Sequence, residues 1–206
     1  MKNLNKNLNK NLNCKSRLLV CLALVTLVSM AFFLPKAHSQ TPYKIVTTSH
    51  IKVLGTSNLH DWDMNAESFT CEGNFIVKGG VLKDISSLSF ALPVTNLKSK
   101  ESLMDKRAYK ALKSQEFSKI TFKLTNAKVN SAQKTIAISG NLSIAGVTNL
   151  INLQSTYSVN ADESITCKGS KTFKMSDYKI KAPSFMLGAL RTGDPVTIEI
   201  LLKLKN

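Results

Sequence analysis

Histidine is scarce in this chain of 206 residues: there are three, and His38 lies in a segment that the sequence marks for removal. His50 and His60 remain, too few by themselves for the three or four converging ligands of a zinc site. No Cys-x-x-Cys pair occurs, which removes support for thioredoxin-like redox chemistry and for a zinc knuckle. There is no Gly-x-Ser-x-Gly elbow and no phosphate-cradling glycine pattern; Gly79, Gly80 and Gly140 read as turn and strand glycines. No catalytic residue, metal or cofactor is therefore expected. Acidic residues are few, 13 against 28 basic. The positive charges are scattered and accompany no nucleic-acid-reading motif, so nucleic acid is not an expected partner. Solubility, or loose attraction to anionic lipid headgroups, accounts for the charge.

The first 39 residues hold no carboxylate at all. Lys2, Lys6, Lys10, Lys15 and Arg17 form a cationic front, and a charge-free, largely apolar run follows from Leu18 to Leu34. Ala37-His38-Ser39 then places small residues where a signal peptidase reads. These features predict a cleaved export signal over residues 1–39, a domain over 40–206 and a periplasmic or secreted product. The apolar run sits at the lower limit for a membrane span, and Cys21 lies near its start, not at its end where a lipoprotein needs it. Six basic residues leave with the signal, so 22 face 13 acids, a formal +9 on residues 40–206. Only Lys98 to Lys119 is densely basic.

Cys71 and Cys167 outlast the signal, in echoing surroundings: Phe69-Thr70-Cys71-Glu72-Gly73 and Ile165-Thr166-Cys167-Lys168-Gly169. In an oxidising compartment they pair if their strands are neighbours; otherwise they are two buried free thiols. Both readings stay open at this point.

Residues 40–206 suffice for one domain with a sizeable core. Apolar residues alternate at Ile51 and Val53, at Phe69, Cys71, Phe75 and Val77, and at Leu88, Phe90 and Leu92. The pattern recurs at Ile120, Phe122 and Leu124, from Ile136 to Ile144, from Ile151 to Val159, from Ile165 to Phe173, and from Val196 to Leu204. Period-two alternation predicts strands with one dry face. Eight or nine of them, joined by short turns, predict an all-β antiparallel sandwich or closed barrel. One segment differs: Leu103, Met104, Ala108, Ala111 and Leu112 recur at helical spacing, predicting one short helix on or across the barrel. His50 falls on the wet parity. His60-Asp61-Trp62-Asp63 is the sole cluster with catalytic-looking groups, and Trp62, the only tryptophan, reads as an anchor in the core or at a barrel mouth, with stacking on a ligand as the alternative.

Five motifs resemble the YceI-like polyisoprenoid-binding family. GTSNLHDW from Gly55 to Trp62 looks like the end of its first strand, and LSFALPVTNLKS from Leu88 to Ser99 like its central strand and following loop. Met104-Asp105, Tyr109 to Lys113 and Ile120 to Phe122 resemble its helix and the next strand, with Ser118 where a proline is usual. GNLSIAGVT from Gly140 to Thr148 is similar to its hairpin, and RTGDPVTI from Arg191 to Ile198 to its closing strand. Together they cover nearly all of Tyr43 to Leu204, in order.

The resemblance implies an extended lipocalin-like barrel of about eight antiparallel strands, exported, with an apolar tunnel for a long lipid such as a polyprenyl chain or an isoprenoid quinone. It does not imply an enzyme. Such a tail needs no special side chain: at about 0.8 kcal/mol per buried methylene, ten contribute up to about 8 kcal/mol before ordering costs. The side chains expected to face the tunnel are Ile51, Val53, Phe75, Leu92, Phe122, Ile138, Leu142 and Tyr157, with His60 or Tyr178 near the mouth for a headgroup. Peripheral membrane contact and a homodimer are compatible with this reading. Three features depart from it. The two cysteines are not part of the family pattern, and the bulky stretch Phe185 to Leu190 is able to plug or lid the tunnel. The SNLHDW form marks a subgroup whose ligand need not be an isoprenoid. The alternatives are a small-substrate envelope enzyme using His60, Asp61 and a hydroxyl, or a non-catalytic envelope protein with a filled barrel.

Overall fold

The computed structural model describes residues 42–206; the expected export signal and its cleavage site lie outside the described residues. The strands are β1 (Tyr43–Ile45), β2 (His50–Ser57), β3 (Trp62–Ala66), β4 (Thr70–Lys78), β5 (Val81–Pro93) and β6 (Leu97–Lys98), then β7 (Lys119–Asn130), β8 (Thr135–Ile144), β9 (Val147–Val159), β10 (Ile165–Lys174), β11 (Ser184–Phe185) and β12 (Leu190–Lys205). Among the described residues one α-helix, α1 (Ser102–Ala111), stands between β6 and β7.

The order β1-β4-β5-β7-β8-β9-β10-β12 returns to β1, because Lys44 and Ile45 pair with Lys205 and Leu204. β2 continues β1 along the same edge of β12, β3 continues the β4 side, and β6 carries β5 onward to meet β3. The segments thus make a closed antiparallel barrel of 8 strands, and every pairing that closes it lies between Tyr43 and Lys205.

Alternation survives the irregularities. Between β1 and β2, the Ser49 hydroxyl donates to the Lys203 carbonyl (3.0 Å) and accepts the Lys203 N–H (2.9 Å). Ile45 pairs with Leu204 and Ile51 with Ile200, so the offset is even and both face inward. In β7 the register shifts between Leu124 and Asn126, so the inward set changes from Phe122 and Leu124 to Ala127 and Val129. A bulge of this kind moves one parity to the other face without ending the strand.

The two ends of the barrel differ. At one end Leu82 and Ile165 are fully buried beside Leu204, and the Tyr43 and Phe75 rings pack 5.4 Å apart. The β9–β10 turn is clipped there by Asp162. Its carboxylate accepts the Ser164 hydroxyl (2.5 Å) and N–H (3.2 Å), and the Lys205 ammonium stands 3.5 Å away. These contacts, the Ser164 hydroxyl first, hold the Asp162 carboxyl down at about 2 from an ordinary 3.8. A depressed carboxylate stabilises the fold above its unfolded value and ceases to as pH falls through the folded one. Asp162→Asn should therefore be less stable at neutral pH, and its stability should fall less between pH 3.8 and about 2. Denaturant midpoints across that range read both effects.

Helix α1 lies at the opposite end. It is fastened by buried Asp105, which accepts the Ser99 N–H and hydroxyl, both at 2.7 Å. The Tyr109 hydroxyl lies 2.9 Å from the Thr95 carbonyl and 3.0 Å from the Leu97 carbonyl. Here Glu101 precedes the helix and Lys113 follows it in a left-handed conformation. The amphipathic face (Met104, Ala108, Leu112) packs on the barrel near Ile120.

Candidate functional site: a cavity inside the barrel

The inward faces do not meet. They enclose a cavity of about 490 Å³, within the range of small-molecule sites. Half-buried inward side chains trace it: Val53 of β2, Phe122 of β7, Leu153 of β9, and Ile198, Ile200 and Leu202 of β12. They are partly accessible because they face the void and not other side chains. Along β12 the wall runs from Val196 to Leu204, about 20 Å of depth once the rise per residue and a barrel tilt are allowed for.

Of the eight expected tunnel residues, Ile51, Val53, Phe75, Leu92, Phe122, Ile138 and Leu142 line the cavity. Tyr157 does not. It is buried in the cluster of Tyr43, Leu82 and Ile165, off the wall that its register partner Cys167 lines, because parity selects the inward face without selecting which side chains pack on one another. Tyr178 is also away from the cavity wall. It is 1% exposed, packed edge-on against Phe173 at 5.3 Å in a satellite cluster with Ile180.

Most of the polar lining lies toward the α1 end, at Ser57, His60, Glu101, Arg107 and Thr192, with Lys171 and then Ser155 further in. Trp62 borders this end; its indole packs over Gly55, where a Cβ has no room, and its N–H donates to the Thr56 carbonyl (3.0 Å). The Arg107 guanidinium stacks on the Phe185 ring, 3.6 Å from its centre. Phe185 pairs with Leu190, and both stand in the cavity wall, so these two side chains border the tunnel and do not fill it. Sequence reasoning did not single out Arg107 and Lys171. Lys171 shares the inward parity of Ile165, Cys167, Gly169 and Phe173, which the alternation shows, but parity alone assigns it no role.

The cluster His60 to Asp63 disperses. The Ser57 hydroxyl donates to the His60 carbonyl (2.7 Å), and the His60 ring Nδ1 contacts the Asp61 carbonyl (2.8 Å). Asp63 turns outward to Lys52 at 3.4 Å. Ring, hydroxyl and carboxylate therefore do not form the hydrogen-bonded relay that nucleophilic catalysis uses. His50 is exposed, as its parity indicates. Among the described residues no three His, Cys, Asp or Glu side chains gather into a metal-holding group.

Cys71 and Cys167 both line the cavity, and both are free. Their strands are not neighbours, since β12 and β1 stand between β10 and β4. Burial pushes both thiols up to about 12 from an ordinary 9.0, with Cys167 and then Glu72 adding to the effect on Cys71. Only the thiolate reacts, so native protein at pH 8 should react with a disulfide reagent about a thousandfold more slowly than an unshifted thiol. Unfolding in guanidinium should make Cys71 and Cys167 fast-reacting. A fast native reaction would mean that water reaches the cavity wall.

The family model for the YceI-like domain matches residues 36–204. Among solved structures, the barrel is similar to Burkholderia cenocepacia BcnA, with a TM-score of 0.65 and 12% identity over 77% of this chain and 98% of that one. A polyisoprenoid binding domain from Saccharophagus degradans, implicated in plant cell wall breakdown, superposes with a TM-score of 0.64 and 13% identity over 81% and 99%. The Campylobacter jejuni YCEI protein follows at 0.56 and 14% over 69% and 84%. At these identities the likeness establishes a common fold. No curated protein matches the sequence.

Proposed function

The chain belongs to the YceI-like family, and from that premise we propose that it is an exported carrier holding one long apolar lipid, a polyprenyl chain or isoprenoid quinone, inside the barrel. The cavity of about 490 Å³ walled by aliphatic and aromatic side chains is the observation that carries this reading. Burying a methylene there contributes about 0.8 kcal/mol wherever along the wall it lies, so affinity comes from chain length and not from any one contact. The polar side chains toward the α1 end favour an amphiphile that enters tail first, its head resting near Ser57, His60 and Arg107. The solved Saccharophagus relative is described as polyisoprenoid binding, which supports the ligand class. The leader-like first 39 residues support export.

The test is to express the chain with its leader, purify it from the periplasm, and run native mass spectrometry followed by solvent extraction. A retained apolar mass of polyprenyl or quinone type is the expected result. Added isoprenoid should also shift the emission of Trp62, the only tryptophan and a cavity-wall residue. An apo mass with no uptake and no shift would refute the carrier reading.

A further inference from the structure

We infer that the α1 end of the barrel is a membrane-docking face, which seats the cavity mouth on an anionic bilayer. The inference builds on the carrier reading but rests on separate observations. Five large apolar side chains are exposed among the described residues: Leu59, Leu103, Phe117, Leu150 and Leu187. All five lie toward the same end. Leu59 sits in the β2–β3 turn, whose neighbour Asn58 hydrogen-bonds to Ala189 and Arg191. Leu103 lies one helical turn before Arg107, which stacks on Phe185. The Phe117 ring covers Gly146 in the β8–β9 turn, and Leu150 follows shortly after it on the outer face of β9. The packed end offers no counterpart among the described residues.

Leu187 is the most telling of these. It is 110% exposed and its backbone is left-handed, at φ 57°. A leucine gains nothing in water from that placement, and the conformation is one that L-residues with side chains disfavour. Both costs become intelligible if the side chain enters an apolar phase. Leu103 is exposed and also lines the cavity, so one apolar side chain belongs both to the rim and to the tunnel wall.

Charge selects the occupant. The one densely basic segment of the sequence, Lys98 to Lys119, is α1 and its flanks, at this same end. It carries Lys98, Lys100, Lys106, Arg107, Lys110, Lys113 and Lys119 against Glu101, Asp105 and Glu116, and Asp105 is engaged with Lys98 at 3.8 Å. Lys179 and Lys181 flank Ile180, which packs in one cluster with Ala111 and Leu112 at the end of α1, and Arg191 pairs with Ser184 beside Phe185. Protruding leucines with a basic surround are the composition that binds an anionic lipid surface through both terms. No helix of the described residues is long and apolar enough to span a membrane; the inferred contact is a peripheral one, made by side chains of the rim. A carrier docked in this way passes its cargo between bilayer and tunnel without exposing the tail to water.

The test is co-sedimentation of the protein purified from the periplasm with phosphatidylcholine vesicles, with and without phosphatidylglycerol, at low and high salt. Binding should require phosphatidylglycerol and weaken at high salt. The double variant Leu59→Ser with Leu187→Asn, neither a cavity-wall residue, should lose at least tenfold in vesicle affinity while remaining folded and keeping its lipid occupancy. Lys106→Glu with Lys110→Glu should lose a similar factor on anionic vesicles only. The inference is overturned if the wild type does not sediment, or if the leucine variant binds as well as wild type. It is equally overturned if that variant splits a solution dimer without changing vesicle binding, which would make the face a self-interface. Failure of the carrier reading is seen separately, as an empty extract beside intact vesicle binding.

Discussion

Ile200→Trp is expected to lose isoprenoid binding by more than a hundredfold while keeping or raising the melting temperature. Ile200 lies midway along β12, half-buried on the cavity wall between Gly169 of β10 and Ile51 of β2. Gly169 has no side chain to crowd an indole from that side. The ring therefore extends into the void, where it displaces about four methylenes of cargo. At about 0.8 kcal/mol each this costs about 3 kcal/mol of binding, over a hundredfold.

Stability should move the other way. The indole buries apolar surface that the empty barrel leaves uncovered, and cavity-filling changes commonly add about 0.5–2 kcal/mol. In a solid core the same substitution overpacks and costs about 1–3 kcal/mol. The pair of signs separates a hollow barrel from a filled one: weaker binding with a steady or higher melting temperature, against unchanged binding with a lower one. Titration of wild type and variant with one isoprenoid, beside two thermal melts of the ligand-free proteins, decides between them.

Much of this was legible in the chain. Alternation is a local property, so the inward sets of β2, β8, β9, β10 and β12 could be read without tertiary information. Helical spacing likewise isolated α1. The family motifs ordered these elements and supplied closure, which no local pattern encodes. Depth along the barrel was not legible. Tyr157 shares the parity of Leu153 and Ser155, yet it is buried in the cluster of Tyr43, Leu82 and Ile165 and does not join the cavity wall that its register partner Cys167 lines. Tyr178 looked like a polar group for the mouth because its position in a short 3-10 turn, in one cluster with Leu142, Ile144 and Ala145, is set by residues distant in sequence. The cysteine echo was real as parity and silent on adjacency, since β12, the last strand, closes between the two. Arg107 was counted as one charge in a basic run. Its stacking on Phe185 depends on β11 folding back onto β12, which composition does not announce.

Leu204→Ala should be the most destabilising single truncation of the barrel, by about 2–5 kcal/mol. Leu204 is 1% exposed and pairs with Ile165 of β10 on one side and Ile45 of β1 on the other. The β1–β12 contact that closes the barrel consists of two residue pairs, and Leu204 belongs to one of them. Shortening it removes packing from both neighbours at once. The void cannot collapse readily, because backbone ladders hold the strands on either side. For a domain of this size the melting temperature should fall by about 5–15 °C. Leu150→Ala, on the outer face of β9 and 65% exposed, should change stability by no more than about 0.5 kcal/mol. Hydrogen exchange adds a local readout: amides of β1 and the last residues of β12 should lose protection before those of the β7–β8 ladder. A cost below about 1 kcal/mol would contradict the packed end itself. The cavity would then run through the barrel from end to end, and a tail of any length could thread it.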